Sequence, residues 1–236
     1  MLNFIKEVRD VRRFNQILAV LFEEGFDFLL AKMRLGHHVP LSRRITSKLK
    51  KSRDSKPEAM LRRTFERLGP TFIKLGQVLS VRPDLIPKEY IKELESLQDK
   101  VPEFTYEEAK ATIESELGKS LNRLFLHFEK KPIASASISQ VYKAILKNGD
   151  HVAVKVQRPN VRQMMETDIE IMFYFAKVLE NHDEKFKRLN LVRIVSEFKD
   201  WTEKELDFRL ELRNAKRFGI RTLTTRESSS QAACAV

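Results

Sequence analysis

The stretch Ala134-Ser135-Ala136-Ser137-Ile138-Ser139-Gln140-Val141, succeeded closely by Val152-Ala153-Val154-Lys155, decides how the chain is read. Ser137 to Leu146 and His151 to Gln157 are β-rich runs joined by Asn148-Gly149-Asp150, a hairpin turn signal. Within the second run Val152, Val154 and Val156 alternate with Lys155, so the lysine stem emerges from a buried strand. An ammonium there needs an anionic partner, because an unpaired charge is expensive to desolvate. A valine-rich strand carrying one lysine is common by itself. Its separation from a run of small residues is what gives it meaning.

Outward from this pair of strands the pattern is helical. Asn15 to Met33 reads as one amphipathic helix, with Ile17, Leu18, Leu21, Phe22, Phe26, Leu29 and Leu30 at helical spacing. Arg12, Arg13, Lys32 and Arg34 flank it, so it suits either an anionic lipid surface or the side of a domain. Arg43 to Arg63 is strongly basic and reads as a solvated linker and helix start, or as a phosphate-binding run. No aromatic residues interleave these charges, so a base-stacking surface, and with it nucleic acid, is not expected. Glu58 to Val81 is helical, with Pro70 opening a new helix after Gly69, and Lys88 to Leu97 restarts a helix beyond the turn at Pro83 and Pro87. Thr105 caps a helix with acidic first-turn residues that runs to about Leu117 and ends at Gly118. Helical patterning returns over Val161 to His182 and Leu191 to Arg217. Beyond Gly219 the chain has neither strand alternation nor a helical stripe and reads as disordered.

Composition bounds the class. At 236 residues with 42% hydrophobic and 9% aromatic content, the chain can bury a core in one large or two small domains. Seven glycines and eight prolines suit a mostly helical chain. A single cysteine, Cys234, excludes a disulfide framework and a cysteine-based zinc site. A net charge of +11 suits an anionic partner, whether a membrane surface, nucleic acid or a nucleotide, and equally fits an ordinary basic protein. The N-terminus lacks a secretory core. Ile17 to Leu30 is interrupted by Glu23, Glu24 and Asp27, so no transmembrane span is expected.

The loop fits the kinase nucleotide frame G-x-G-x-x-G-x-V position by position, with Ala134, Ala136 and Ser139 where the glycines stand. Val152-Ala153-Val154-Lys155 then matches the V-A-I-K strand. Two further blocks belong to the same pattern: Lys74-Leu75-Gly76-Gln77 as K-x-G-Q, and Glu205-Leu206-Asp207 as E-x-D, with Glu211 four residues beyond the aspartate. Together these resemble the UbiB-type (ADCK/UbiB) atypical kinase family over roughly residues 15–218. The resemblance implies a nucleotide site built from Ala134, Ser135, Ala136, Ser137, Ser139, Val141, Ala153 and Lys155. It implies a catalytic set of Lys155, Glu211, Lys74, Glu205 and Asp207, with Gln77 belonging to the K-x-G-Q motif. Lys155 matches the strand lysine and Glu211 the αC glutamate that pairs with it; Glu205 would pair with Lys74. On the helical reading Asp207 and Glu211 share a face and Glu205 turns away, so one helix would serve two lysines.

The expected architecture is an α+β fold: a mostly helical extension over 1–120, a partial protein-kinase-like N-lobe over 121–218, and a tail over 219–236. The resemblance implies ATP and Mg²⁺ as cofactors, a function supporting ubiquinone biosynthesis, and a cytoplasmic protein peripheral to the inner membrane. Its implied partners are an anionic membrane lipid, a quinone-pathway lipid, or a quinone-biosynthesis protein complex. Alanine and serine at the glycine positions add Cβ atoms, so the loop should be stiffer than a glycine-rich one. No D-F-G triplet occurs, nor a catalytic loop with its Asp and metal-ligating Asn, and no metal ligands are assigned within the chain. The expectation is a truncated member that binds nucleotide weakly and does not turn it over alone. The other reading is an inactive fragment, a regulatory or lipid-binding remnant.

Overall fold

Helix stops written into the sequence set the lengths of the first elements. A computed structural model describes residues 10–35, 56–98, 102–211, 213, 214, 217 and 232–235. They divide into two compact units, Met1–Lys100 with Arg162–Asp200, and Val101–Val161 with Trp201–Val236. The helix expected over Asn15 to Met33 is two helices, α1 (Val11–Glu23) and α2 (Asp27–Lys32). Gly25 at φ +99° makes the break. The Gly25 and Phe26 N–H groups bond back to the Phe22 and Leu21 carbonyls, a Schellman stop that costs a glycine nothing sterically. Of the basic stretch, residues 43–55 lie outside the described residues.

The first unit is helical: α1, α2, α3 (Pro57–Leu68), α4 (Pro70–Ser80), α5 (Lys88–Glu95), a 3₁₀ turn (Ser96–Gln98), most of α8 (Val161–His182), α9 (Glu184–Leu189) and the first part of α10 (Leu191–Leu206). The apolar stripe of α1 is covered by protein: Phe14, Ile17, Leu18, Ala19 and Val20 are buried, and the Phe14 ring lies 6.0 Å from Tyr174 and 5.8 Å from Phe175 on α8. Of the two roles open to this stripe, packing on the domain is the one observed. Beside it, Arg13 forks onto the fully buried Asp168, Nε to Oδ1 at 2.6 Å and Nη2 to Oδ2 at 2.9 Å, and also donates to the Leu68 carbonyl at 2.6 Å. Both carboxylate oxygens are thereby satisfied by one guanidinium.

The second unit holds α6 (Tyr106–Leu117), α7 (Leu121–Leu124) and a five-stranded sheet of β1 (Phe125–Phe128), β2 (Ala134–Ser135), β3 (Ser139–Leu146), β4 (His151–Gln157) and β5 (Ala232–Ala235). Strands β1 and β2 pair antiparallel with opposite ends of β3, and β3 pairs antiparallel with β4 through the Asn148–Asp150 turn. Alternation is kept as the sequence predicts: Val152, Val154 and Val156 are buried, joining Tyr142 and Ala144 of β3 and Ala109 and Ile113 of α6 in one core. Helix α6 therefore packs with the sheet, although the expected division at residue 120 assigns it to the extension. Its start is the predicted cap: Thr105 Oγ1 accepts from Glu108 N–H at 3.2 Å while Glu108 Oε2 accepts from Thr105 N–H at 2.7 Å.

The architecture is α+β. Two parts of it are not expected from sequence. Neither α7 nor β1 is among the expected elements, although Phe125-Leu126-His127-Phe128 is an aromatic-rich run of strand character. Residues 232–235, expected to be disordered, instead pair parallel with β4 from Val152↔Ala232 to Lys155↔Ala235. Strand edges carry unmade main-chain hydrogen bonds, and a short segment of any composition can fill them. The rest of the expected tail, 219–231, lies outside the described residues.

Candidate functional site

Lys155 sits near the end of β4 opposite Val141 on β3, which in turn sits opposite Ala134 on β2. Directly opposed residues of antiparallel strands project to the same face, so Ala134, Val141 and Lys155 form one row on the sheet surface. Ala153, opposite Lys143, extends that face by one row. The face behind it is the core.

The strand lysine is held from the far end of the unit. Its ammonium lies 2.9 and 2.6 Å from the two carboxylate oxygens of Glu211 and 4.7 Å from the centre of the Phe208 ring. The lysine side chain is 28% exposed and the glutamate 57%, so the pair is half-open to water. An ion pair so exposed contributes at most about 1 kcal/mol to stability. Its consequence is orientation: a bidentate carboxylate and a ring face together fix where the ammonium points.

Glu211 reaches Lys155 through a break that the sequence does not announce. The periodicity predicts one helix over Leu191 to Arg217, yet α10 ends at Leu206 and a new helical turn begins at 208. Asp207 stands between them; its Oδ1 accepts from Arg209 N–H at 3.0 Å and its carbonyl from Leu210 N–H at 3.0 Å. Aspartate competes with the helix ladder by bonding to nearby N–H groups, and here it starts the next segment. Glu205 and Glu211 consequently belong to different helical segments, and the expectation of one helix presenting both is overturned. Gln157 at the end of β4 ties the joint down, its Nε2 donating to the Leu206 carbonyl at 3.1 Å.

The loop is a closed hairpin. Ile133 N–H bonds to the Val141 carbonyl and Ala136 N–H to the Ser139 carbonyl, both at 2.8 Å. Its tip is folded inward, with Ser137, Ile138 and Ser139 at 3%, 6% and 2% exposure. The expected nucleotide set therefore divides. Ala134, Val141, Ala153 and Lys155 share the open face, and Ala136 is exposed beside it. Ser135, opposite the buried Gln140, lies on the other face, and the side chains of Ser137 and Ser139 are buried. An open cradle of serine hydroxyls is not what the loop presents.

Lys74 and Gln77 are half-buried on α4 of the first unit; Glu205 and Asp207 are half-buried in the second. Gln77 Nε2 approaches the Leu97 carbonyl at 3.4 Å. The K-x-G-Q glycine has a packing reason: a Cβ on Gly76 would fall inside contact distance of Leu97 Cδ1 and 2.9 Å from Phe65 Cδ2. Sequence reasoning missed Phe208, Gln157 and Arg158. The last donates from Nε to the Ser137 carbonyl at 3.1 Å and from Nη2 to the Pro102 carbonyl at 2.6 Å. Burial lowers its pKa, opposed by the charge of Glu108. Among the described residues no group of three or more His, Cys, Asp or Glu is set to hold a metal ion.

The model of the ABC1 atypical kinase-like domain matches residues 96–227, more than half of the chain. The chain belongs to the ABC1 atypical kinase-like family. Among similar proteins of this kind, an uncharacterized protein in the hydrogenase 1 5' region of Clostridium pasteurianum is 41% identical over 210 residues, covering 88% of this chain and 36% of that protein. The chloroplastic protein Activity of bc1 complex kinase 7 of Arabidopsis thaliana is 42% identical over 173 residues, 73% of this chain and 25% of the relative. A probable protein kinase UbiB of Pseudomonas aeruginosa is 44% identical over 157 residues, 66% and 30% respectively. The chain thus spans between a quarter and about a third of the length of these ABC1 relatives.

Proposed function

We propose that this chain is the phosphate-holding part of an atypical kinase or ATPase that binds ATP and supports ubiquinone biosynthesis. The observation that carries the reading is the Lys155–Glu211 pair, set on the same sheet face as Ala134 and Val141. A nucleotide phosphate brought to that face meets an ammonium already aimed by Glu211 and Phe208, with little side-chain freedom left to lose. Lys155 then takes the α- and β-phosphates, Ala134, Ala136, Val141 and Ala153 shape the surface around them, and Glu211 orients the lysine.

Among the described residues no group of three or more His, Cys, Asp or Glu is set to hold magnesium. We assign its ligands, and the contacts to adenine, to the part of the ABC1 relatives that this chain does not cover. The proposed partners are ATP and a quinone-biosynthesis protein complex or quinone-pathway lipid, at the cytoplasmic side of the inner membrane. No helix among the described residues is long and apolar enough to cross a membrane. Any attraction to anionic lipid would come from the net charge of +11, since the apolar face of α1 is occupied by the fold. That occupancy weighs against the alternative of a lipid-binding remnant.

The test is a calorimetric titration of ATP into the 236-residue chain and its variants. Weak binding is expected in the wild type, a loss of about tenfold or more in Lys155→Ala, and a smaller loss in Glu211→Gln, consistent with the worth of charge-assisted hydrogen bonds. Lys147→Ala, in the exposed hairpin turn, should bind as the wild type does. Equal binding by wild type and Lys155→Ala would refute the assignment.

A further inference from the structure

We infer that Arg158 is a positioning residue that latches the tip of the 134–141 hairpin, so that the loop is already shaped before a ligand arrives. Its consequence for nucleotide affinity rests on the function proposed above; the latch itself does not.

Three donors of this one residue reach into the loop and its support. The Arg158 main-chain N–H bonds to the Ile138 carbonyl at 2.8 Å. Nε bonds to the Ser137 carbonyl at 3.1 Å, and Nη2 crosses to the Pro102 carbonyl at 2.6 Å. The guanidinium plane lies 5.2 Å from the centre of the Phe104 ring. From the other side Gln140 meets the same support. With its amide oriented to suit its neighbours, it accepts from Phe104 N–H at 2.9 Å and donates to the Phe104 carbonyl at 3.3 Å and to Tyr142 Oη at 2.6 Å. Both tip residues, Ser137 and Ile138, are buried.

The chemistry explains why arginine stands here. Two carbonyls from separate segments must be bridged, and a rigid planar fork offers donors in fixed, divergent directions while its face stacks on a ring. A lysine ammonium is a single point on a flexible stem and cannot span both. The electrostatic result matters more than the strength. The Ser137 and Ile138 carbonyls are both engaged by Arg158, so neither negative dipole end is free to face an incoming phosphate. In a glycine-rich loop that arrangement must be found during binding; here it is built in, and ordering costs avoided in advance appear as affinity.

The experiment compares wild type, Arg158→Ala and Arg158→Lys as the full 236-residue chain. Amide hydrogen exchange is followed over 134–140, with 142–146 and 152–156 as internal reference, and ATP is titrated by calorimetry. In both variants exchange over 134–140 should rise about tenfold while the reference strands stay unchanged, the scale expected for losing a charge-assisted bond. ATP affinity should fall by a similar factor. Arg158→Lys keeps the charge and stem, so it serves if the alanine variant does not fold. Unchanged loop exchange in a folded variant overturns the latch. Faster loop exchange with unaltered ATP affinity overturns its positioning role. Faster loop exchange in a chain whose wild type binds no ATP establishes the latch and removes the nucleotide reading instead.

Discussion

At the scale of single residues, Asp207 carries two competing accounts that one substitution separates. The family resemblance places it in the E-x-D element with a catalytic role. The structure shows its carboxylate accepting from Arg209 N–H, where it starts the turn that carries Glu211. Asp207→Ala should cost about 1 kcal/mol of stability, as loss of a helix cap does. If capping is its role here, ATP affinity should fall only as far as Glu211 is displaced, and Asp207→Asn or Asp207→Ser should restore both melting temperature and affinity. The sequence could name Asp207 and Glu211 but could not reveal the joint between them. Leu206 and Leu210 keep the helical spacing of an apolar face across it, so periodicity runs straight through the break. Arg158 was illegible for a different reason: its partners are main-chain carbonyls, and these carry no side-chain identity to read.

At the scale of elements, close approach and capping make opposite demands. Helix α4 lies against α3 and the 3₁₀ turn only because Gly76 has no side chain. Gly76→Ala must push Leu97 and Phe65 aside, and about 1–3 kcal/mol of destabilisation by urea unfolding is expected, despite alanine's better helix propensity. Helix α6 gives a pH signature. The Thr105 N–H, and after it the Thr105 hydroxyl, hold the Glu108 carboxyl below the usual glutamate range against a small burial effect. Because the folded value is depressed, this contribution is present above the ordinary glutamate pKa. It is lost as pH falls through that value and down to the folded one. Unfolding free energy measured down this acid range should fall less steeply in Glu108→Gln than in wild type. This cap was legible in sequence because all its atoms lie within four residues. The pairing of 232–235 with β4 was not, because strand edges far apart in the chain leave no local mark.

At the scale of the whole molecule, stability rests on two cores, and the expected division at residue 120 does not follow their boundaries. In the helical unit the Arg13–Asp168 fork is a buried charge pair, with Asp168 at 0% and Arg13 at 13% side-chain exposure. Removing one partner strands the other charge, so Asp168→Ala should cost roughly 3–5 kcal/mol. Arg13 and Asp168 lie 155 positions apart, so the ion pair ties α1 to α8, and no motif announces it. Exchange measured residue by residue should show α1 and α8 opening together in this variant, with the β3–β4 strands protected as before. Equal loosening of β3 and β4 would contradict a separate helical core. The fold class and the strand lysine were readable because hydrophobic alternation is local. The membership of the units was not, because residues 162–200 group with 1–100 although 101–161 separate them in the chain.

The joint at Asp207 also bears on how such a chain tolerates changes in length. In an unbroken helix, one inserted residue turns everything beyond it by about 100°, which would carry a distant glutamate off its original face. Here the rotation is interrupted before Phe208, and the short turn bearing Glu211 takes its direction from its own start. A single residue added between Phe208 and Glu211 would swing the carboxylate away from Lys155. The spacing from Asp207 to Glu211 is thus the length of chain that the ion pair with Lys155 holds fixed.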